Sequence, residues 1–164
     1  MNFELTLPVQ ANGRFLFIGN GGFGGSFDFP EVFPDFESIR DLTKTGFAIA
    51  FTDTGHQGNF LDGSWALEDK AKQNDWLFRG VHVTVVAAKT ITNRFYGRRA
   101  RSYFAGCSDG GREGLVEAQR YPGDFDGIVA GDPALGRVTA GFNWNQEHLT
   151  ADIGSRCRGC DEQL

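Results

Sequence analysis

The sequence lacks the features that would assign it to a membrane or to a nucleic acid. No apolar run approaches the roughly 18 residues that a membrane-spanning helix needs. Its 16 Lys and Arg residues are outnumbered by 21 Asp and Glu residues, so we expect neither nucleic acid nor a membrane as a partner. Met1 is followed by alternating apolar and polar residues rather than by a signal peptide. With three cysteines, the chain cannot pair all of them internally.

Glycine and phenylalanine, in contrast, are abundant, with 23 and 16 of the 164 residues. This combination predicts tight turns around a packed aromatic core rather than disorder. Strands are predicted at residues 3–7, 14–18, 47–51, 102–105 and 127–130, and helices at residues 35–46, 75–97 and 111–121. Because strands and helices alternate, the sequence predicts an α/β fold in which a mostly parallel sheet has flanking helices on both faces.

The longest predicted helix has both of its ends marked in the sequence. Asn74 or Asp75 is the expected N-cap, and Gly97 is the expected stop. Its apolar stripe is expected to consist of Leu77, Val81, Val85, Ala88 and Phe95.

Residues 106–110 form a G-x-S-x-G pattern around Ser108. From composition alone this pattern would arise by chance with a probability of about 0.1, so its context decides. A predicted strand precedes it and a predicted helix follows, which is the context of a nucleophile elbow, a strained turn that exposes a serine hydroxyl at the carboxyl end of a sheet. The N-terminal amides of the helix would favour negative charge developing there. The competing interpretation is a glycine-rich turn with an ordinary serine.

A second glycine-rich segment, GGFGG at residues 21–25, follows the predicted strand at residues 14–18. An ester hydrolase of this kind needs two amide donors for its oxyanion, one from the residue after the nucleophile and one from a loop after an early strand. We therefore predict these donors at Asp109 and at Gly21 or Gly22. A phosphate cradle and a plain flexible loop are the alternatives. The segment lacks the Lys-Ser/Thr ending of a P-loop and the full spacing of a dinucleotide-binding motif.

Several stretches form a combined pattern: YFAGCSDGGRE at residues 103–113, EAQRYP at 117–122, DFDGI at 124–128 and AGDPA at 130–134, preceded by RFLF, GNGGF, TDTGHQ and SWA. Over roughly residues 3–135 this combination resembles the tannase/feruloyl esterase family. The resemblance implies an α/β-hydrolase fold and a Ser-Asp-His triad that cleaves esters of hydroxyaromatic acids such as gallic and ferulic acid. It also implies a small aromatic ester as substrate and a secreted or periplasmic protein.

The resemblance implies roles for individual residues. Ser108 is the implied nucleophile, which would form an acyl-enzyme, and Asp109 with Gly21 or Gly22 is the implied oxyanion hole. Cys107 corresponds to the family's cysteine beside the serine, which forms a disulfide with a cysteine next to the catalytic histidine. In the family, that histidine and its acid lie beyond a lid with a calcium site, and residues 109–164 hold no counterpart of them.

The resemblance also indicates how the chain is organised. We expect residues 1–135 to be the N-terminal portion of an α/β-hydrolase core, truncated after the half that bears the nucleophile. Residues 136–164 are expected to be an uncertain tail, at the place where the family's lid would begin. We predict no cofactor and no metal site for this part of the fold.

Four residues are alternatives for the missing triad members or for the pocket. His56 follows the strand at residues 47–51 and is expected at the pocket, although it precedes the serine, against the usual order of the fold. His82 lies inside the long predicted helix and is interpreted as structural or surface. His148 has the right order, but it lies too close to Ser108 in sequence to leave room for further strands. Asp132 is the runner-up acid, and the resemblance makes it a loop residue near the pocket.

Two functions remain open from the sequence. The first is a serine carboxylic ester hydrolase, with the activity of this chain alone left open. The second is a catalytically incomplete fragment, or a non-catalytic chain that binds an aromatic acid. A nucleotide-binding α/β domain is a third interpretation, which the glycine spacing disfavours. Cys157 and Cys160 are interpreted as a disulfide or as free thiols, because zinc would need two further ligands. The sequence does not predict an oligomeric state.

Overall fold

A five-stranded sheet organises the part of the chain that the computed structural model describes, which is residues 1–27 and 42–135. The strands are β1 (Phe3–Thr6), β2 (Arg14–Ile18), β3 (Phe47–Thr52), β4 (Arg101–Cys107) and β5 (Gly127–Gly131). Their order across the sheet is β1-β3-β2-β4-β5, with β1 antiparallel to β3 and all other pairs parallel. The mostly parallel sheet predicted from the sequence is therefore confirmed.

Two longer helical regions flank this sheet, after a short 3-10 helix at Ser64–Ala66. The first begins as α1 (Lys70–Asn74), continues through a π-helical stretch (Asp75–Arg79) and ends as α2 (Gly80–Tyr96). The second is α3 (Asp109–Arg120). The prediction that Asn74 or Asp75 begins the first region is wrong, because the Asp69 side chain accepts hydrogen bonds from two amides of α1 and caps it earlier. The predicted stop at Gly97 is confirmed by its left-handed backbone, with φ of 65°.

The hydrophobic core lies between one face of the sheet and α2. Val81, Val85 and Ala88 of the predicted stripe are buried there, whereas Phe95 is 65% exposed, contrary to the prediction. The buried face continues instead at Thr92, which is 1% exposed. The last turn then packs Tyr96 rather than Phe95 against the core.

The helices α2 and α3 cover the same face of the sheet. Phe17 and Phe104 stack there with ring centroids 5.8 Å apart, and α3 approaches so closely that a Cβ on Gly114 would lie 2.9 Å from the Phe104 ring. The helix predicted at residues 35–46 lies mostly outside the described residues, and the predicted tail at residues 136–164 lies wholly outside them. In the part of the chain that the structure describes, every helix is too short or too polar to span a lipid bilayer.

Candidate active site

Parallel strands gather the chemistry of this chain at one edge of the sheet. β2, β3, β4 and β5 run in the same direction, so the segments that follow them all leave from the edge formed by their carboxyl ends. These segments contain the glycine loop at residues 19–25, the polar loop that begins at Asp53, the serine turn and the loop that begins at Asp132. In open α/β sheets this edge is where ligands bind.

Ser108 forms the turn between β4 and α3, as the G-x-S-x-G pattern predicts. Its backbone has φ of 59° and ψ of −116°, a combination that residues with a Cβ rarely adopt and that costs about 1–3 kcal/mol. The residue is nevertheless exposed. The turn therefore holds a serine in a strained conformation at the edge of the sheet, with its side chain accessible from outside.

The glycines of the motif are required by close contacts between backbones. A Cβ on Gly106 would lie 2.5 Å from the carbonyl oxygen of Gly110. A Cβ on Gly110 would lie 2.7 Å from the carbonyl oxygen of Asn20, in the glycine loop. Such distances are well inside van der Waals contact, so a side chain at either position would push apart the elements that form the turn.

Backbone hydrogen bonds fasten the serine turn to the segment after β5. The Ser108 amide donates to the carbonyl of Gly131 at 3.1 Å, and the Ser108 carbonyl accepts from the amide of Ala134 at 3.0 Å. Asp132 lies between these contacts, exposed and with φ of 36°. Asp132 therefore lies next to the serine turn, near the predicted pocket. Among the described residues it makes no hydrogen bond to a histidine, so its role as the triad acid stays a prediction.

The first turn of α3 presents the amide of Asp109 beside Ser108, while the Asp109 side chain faces inward. Its carboxylate is 4% exposed and pairs with Arg112 at 2.5 Å and 3.0 Å. Burial raises the pKa of Asp109, and the guanidinium opposes that shift. Arg112 also donates to the carbonyls of Leu77 and Trp76 at 3.0 Å and 3.1 Å. The amide of Asp109 is the first of the helix and has no partner within it, which leaves it available to an anion.

The glycine loop lies between the serine turn and the loop after β3. Gly19 extends the pairing of β2 with β4 by donating to the Ala105 carbonyl at 2.9 Å. Further along, a Cβ on Gly22, where φ is 56°, would lie 2.2 Å from the Phe60 carbonyl oxygen. Within residues 1–27 and 42–135, neither Gly21 nor Gly22 uses its amide in a hydrogen bond. These two amides therefore share a sheet edge with Ser108 and keep their hydrogens for another acceptor.

His56 packs beneath the glycine loop. It is 5% exposed, and its ring stacks on that of Trp65 with centroids 3.6 Å apart. A Cβ on Gly25 would lie 2.6 Å from its Nε2 atom. Burial lowers the pKa of His56, whereas the charge of Asp53 and the backbone of Thr54 and Phe23 oppose that shift. The structure thus places His56 behind the predicted pocket loop, with no hydrogen bond to Ser108.

His82 belongs to a second polar cluster that the sequence did not indicate. Its Nδ1 lies 2.6 Å from Oδ2 of Asp124, and its ring stacks on Tyr121. Glu117 is 1% exposed, and burial, together with the charge of Asp124 and a hydrogen bond to it, raises the pKa of Glu117 to about 8. His82, Glu117 and Asp124 bring their ligand atoms within 4.8 Å of one another.

The ligand types of this cluster suit a divalent cation, but its geometry is that of a hydrogen bond. Two ligands at about 2.1 Å from a tetrahedral ion are about 3.4 Å apart, whereas the Nδ1 and Oδ2 atoms are separated by 2.6 Å. The interpretation of His82 as structural agrees with these contacts. Glu117 begins the stretch EAQRYP, but the sequence did not indicate that its carboxylate is buried, because a glutamate inside a short helix usually faces solvent.

Cys107 carries a free and exposed thiol in the structure. It is the one cysteine among the described residues, since Cys157 and Cys160 lie outside them, as does His148. The disulfide that the resemblance implies for Cys107 is therefore not formed with any residue that the structure describes.

Comparison with known proteins supports the resemblance found in the sequence. A family described as tannase and feruloyl esterase matches residues 1–159. A probable feruloyl esterase B-1 from Aspergillus terreus is 42% identical over 140 residues, which are 82% of this chain and 24% of that protein. One from Aspergillus oryzae is 36% identical over 148 residues, or 90% of this chain and 26% of that protein. The chain thus spans about a quarter of the length of the curated relatives that it matches.

Solved structures give the same assignment for the fold. The crystal structure of feruloyl esterase B from Aspergillus oryzae aligns with a TM-score of 0.70 and 38% identity, covering 80% of this chain and 25% of that one. The tannin acyl hydrolase from Aspergillus niger aligns with a TM-score of 0.66 and 27% identity, covering 80% and 25%. The fold is that of α/β-hydrolase-type esterases, of which the described strands form one part. This chain belongs to the tannase and feruloyl esterase family.

Proposed function

We propose that this chain carries the nucleophile and the oxyanion donors of a serine carboxylic ester hydrolase that cleaves esters of hydroxyaromatic acids. The observation that carries the proposal is the strained backbone of Ser108, which holds an exposed hydroxyl between a strand and a helix N-terminus. Storing strain at a polar, exposed residue is typical of a catalytic site. The substrate class is proposed from the relatives, which are named feruloyl esterases and a tannin acyl hydrolase.

In the proposed reaction, the Ser108 Oγ attacks the ester carbonyl carbon and loses its proton to a base. The carbonyl oxygen becomes an oxyanion, which accepts hydrogen bonds from the Asp109 amide and from the amide of Gly21 or Gly22. When the tetrahedral intermediate collapses, the alcohol leaves with a proton and the acid stays on Ser108 as an acyl-enzyme. Water then attacks the acyl group, and the free acid is released.

The base is the part of this mechanism that the described residues do not supply. Among residues 1–27 and 42–135, His56 makes no hydrogen bond to Ser108, and His82 bonds Asp124 instead. We therefore propose that the chain alone turns over natural esters slowly, since an unassisted serine hydroxyl is a weak nucleophile at neutral pH. The second candidate function is binding of an aromatic acid without cleavage of its esters, and the lack of a base among the described residues favours it. From the family resemblance we also propose that the protein acts outside the cytoplasm.

The test compares Ser108 with an exposed serine of the same chain, Ser64. An aryl fluorophosphonate is added, and labelled peptides are quantified by mass spectrometry, with Ser108→Ala as a control. Oxyanion donors and binding retain catalysis of about 10³-fold or more without a complete triad, so Ser108 should be labelled far faster than Ser64. Equal rates at the two serines would refute the proposed oxyanion site.

Turnover is measured in parallel on methyl ferulate and methyl gallate. The expected result is little hydrolysis above the rate of the Ser108→Ala variant. Rapid hydrolysis that Ser108→Ala abolishes would instead show that the chain supplies its own base. Binding of ferulate or gallate without any labelling of Ser108 would favour the second candidate.

A further inference from the structure

One buried carboxylate beside the serine turn has no part in the proposed reaction. Glu113, in the second turn of α3, is 2% exposed. Its Oε2 accepts a hydrogen bond from the backbone amide of Asn20 at 2.9 Å, and its Oε1 accepts one from the Asn20 side-chain amide at 3.4 Å. Asn20 is itself 5% exposed. A carboxylate buried at this depth is costly unless it is paired, so these contacts need an explanation.

The position of Asn20 supplies one. Asn20 immediately precedes Gly21 and Gly22, whose amides are proposed oxyanion donors. The other proposed donor, the amide of Asp109, begins the helix on which Glu113 lies. The Glu113 side chain therefore binds the loop that carries one proposed donor, and the helix on which Glu113 lies carries the other proposed donor.

Contacts on the far side of Asn20 restrict the loop further. The Asn20 carbonyl faces Gly110, where an added Cβ would lie only 2.7 Å from its oxygen. Glu113 thus holds the nitrogen side of Asn20 while Gly110 limits its carbonyl side. The peptide that leads into Gly21 is fixed between the two contacts.

We propose that Glu113 is a positioning residue that sets the oxyanion loop against the serine turn by binding Asn20. The inference rests on the proposed function of the loop. Such positioning has value because an oxyanion hole stabilises charge only where its donors are already in place before the reaction. An ionised carboxylate accepts both Asn20 donors, whereas a protonated one uses an oxygen to carry hydrogen and holds the loop less firmly.

The neighbours of Glu113 determine its pKa and therefore the pH at which it becomes charged. Asp109 and Arg112 face it from the first turn of α3, Asn20 from the loop, and Glu117 from the next turn. Burial and Asp109 raise the pKa of Glu113 to about 7, while Arg112 and the Asn20 hydrogen bonds lower it. The loop should therefore be held more firmly above about pH 7 than below it.

The experiment follows the backbone amides of Asn20, Gly21 and Gly22 by ¹⁵N NMR of the chain between pH 5.5 and pH 8.5. In the wild type, the chemical shift of the Asn20 amide should change with pH, with a midpoint near 7 that reports the ionisation of Glu113. Glu113→Gln should abolish that pH-dependent change. Glu117 is a buried acid on the same helix that does not touch Asn20, so the control variant Glu117→Gln should leave the change intact. Loss of the hydrogen bonds in Glu113→Ala should speed amide hydrogen exchange at Asn20 about 10-fold, with partial rescue in Glu113→Gln.

Two results would overturn the proposal: an Asn20 titration that persists in Glu113→Gln, or Asn20 exchange that is unchanged in a folded Glu113→Ala variant. If Glu113→Ala does not fold, the wild-type titration and the Glu113→Gln variant decide alone. Labelling of Ser108 provides a separate readout, since it should slow in Glu113→Ala and recover in Glu113→Gln. If the Asn20 amide shift follows the ionisation of Glu113 but Ser108 is not labelled, the positioning role stands and the proposed function is refuted.

Discussion

Replacing Ser108 with glycine should stabilise the folded chain, although glycine destabilises most positions. With φ of 59° and ψ of −116°, any residue with a Cβ is strained there by about 1–3 kcal/mol. Glycine relieves that strain. It also costs about 0.5–1 kcal/mol of stability, because glycine loses more conformational entropy on folding than other residues do. We therefore expect Ser108→Gly to exceed Ser108→Ala in free energy of unfolding by about 1 kcal/mol, since alanine removes the hydroxyl and keeps the strain.

The comparison needs a reference position with ordinary backbone. Ser102 lies in β4 and is 2% exposed, and there the glycine variant should be less stable than the alanine variant by about 0.5–1 kcal/mol. The four variants are compared by urea denaturation, with tryptophan fluorescence as the signal. A reversal of the order of glycine and alanine between the two positions would confirm the strain. If Ser108→Gly is less stable than Ser108→Ala by the amount seen at Ser102, the turn stores no strain.

Two further predictions concern α3. Gly110→Ala should lower the free energy of unfolding by about 1–3 kcal/mol, because its Cβ would lie 2.7 Å from the Asn20 carbonyl oxygen; it should also slow labelling of Ser108, and a variant as stable and reactive as the wild type would contradict the contact. Glu117 has its pKa raised from 4.5 to about 8, so the folded state binds its proton more tightly and stability should fall as pH rises through that window. With each pKa unit worth about 1.4 kcal/mol, the loss should amount to several kcal/mol, and urea denaturation at a series of pH values should show a flatter pH dependence of stability in Glu117→Gln; equal slopes in the two proteins would refute the raised pKa of Glu117.

Local patterns in the sequence predicted the serine turn and most of the strands. The predicted strand at residues 14–18 matches β2 (Arg14–Ile18) as observed, and the glycine-flanked serine lies between a strand and a helix. These features depend on residues that are close in sequence, where periodicity and turn chemistry act directly. The same holds for the end of α2, because a glycine with positive φ is a local requirement.

Contacts between distant residues could not be predicted in this way. Glu113 and Asn20 are 93 residues apart, and His82 and Asp124 are 42 apart. In the sequence, Glu113 ends the stretch YFAGCSDGGRE, but only the folded chain shows that it contacts Asn20. The earlier start at α1 was missed for a related reason, since its five residues KAKQN bury none of their side chains and give no apolar periodicity.

The composition of α3 bears on how the serine turn is held in place. Its buried residues are glycines and charged residues, without a single buried apolar side chain: Asp109, Gly110, Gly111, Arg112, Glu113, Gly114 and Glu117. Burying charges costs desolvation that ion pairing only partly offsets, so such a face is a poor source of stability. It is, however, a precise source of position. The glycines let the helix approach β4 and the glycine loop closely, and the charged side chains reach fixed partners on the π-helical stretch and at Asn20. We infer that α3 gives up stability in order to fix the first amide of the helix beside Ser108, which is what an oxyanion site requires.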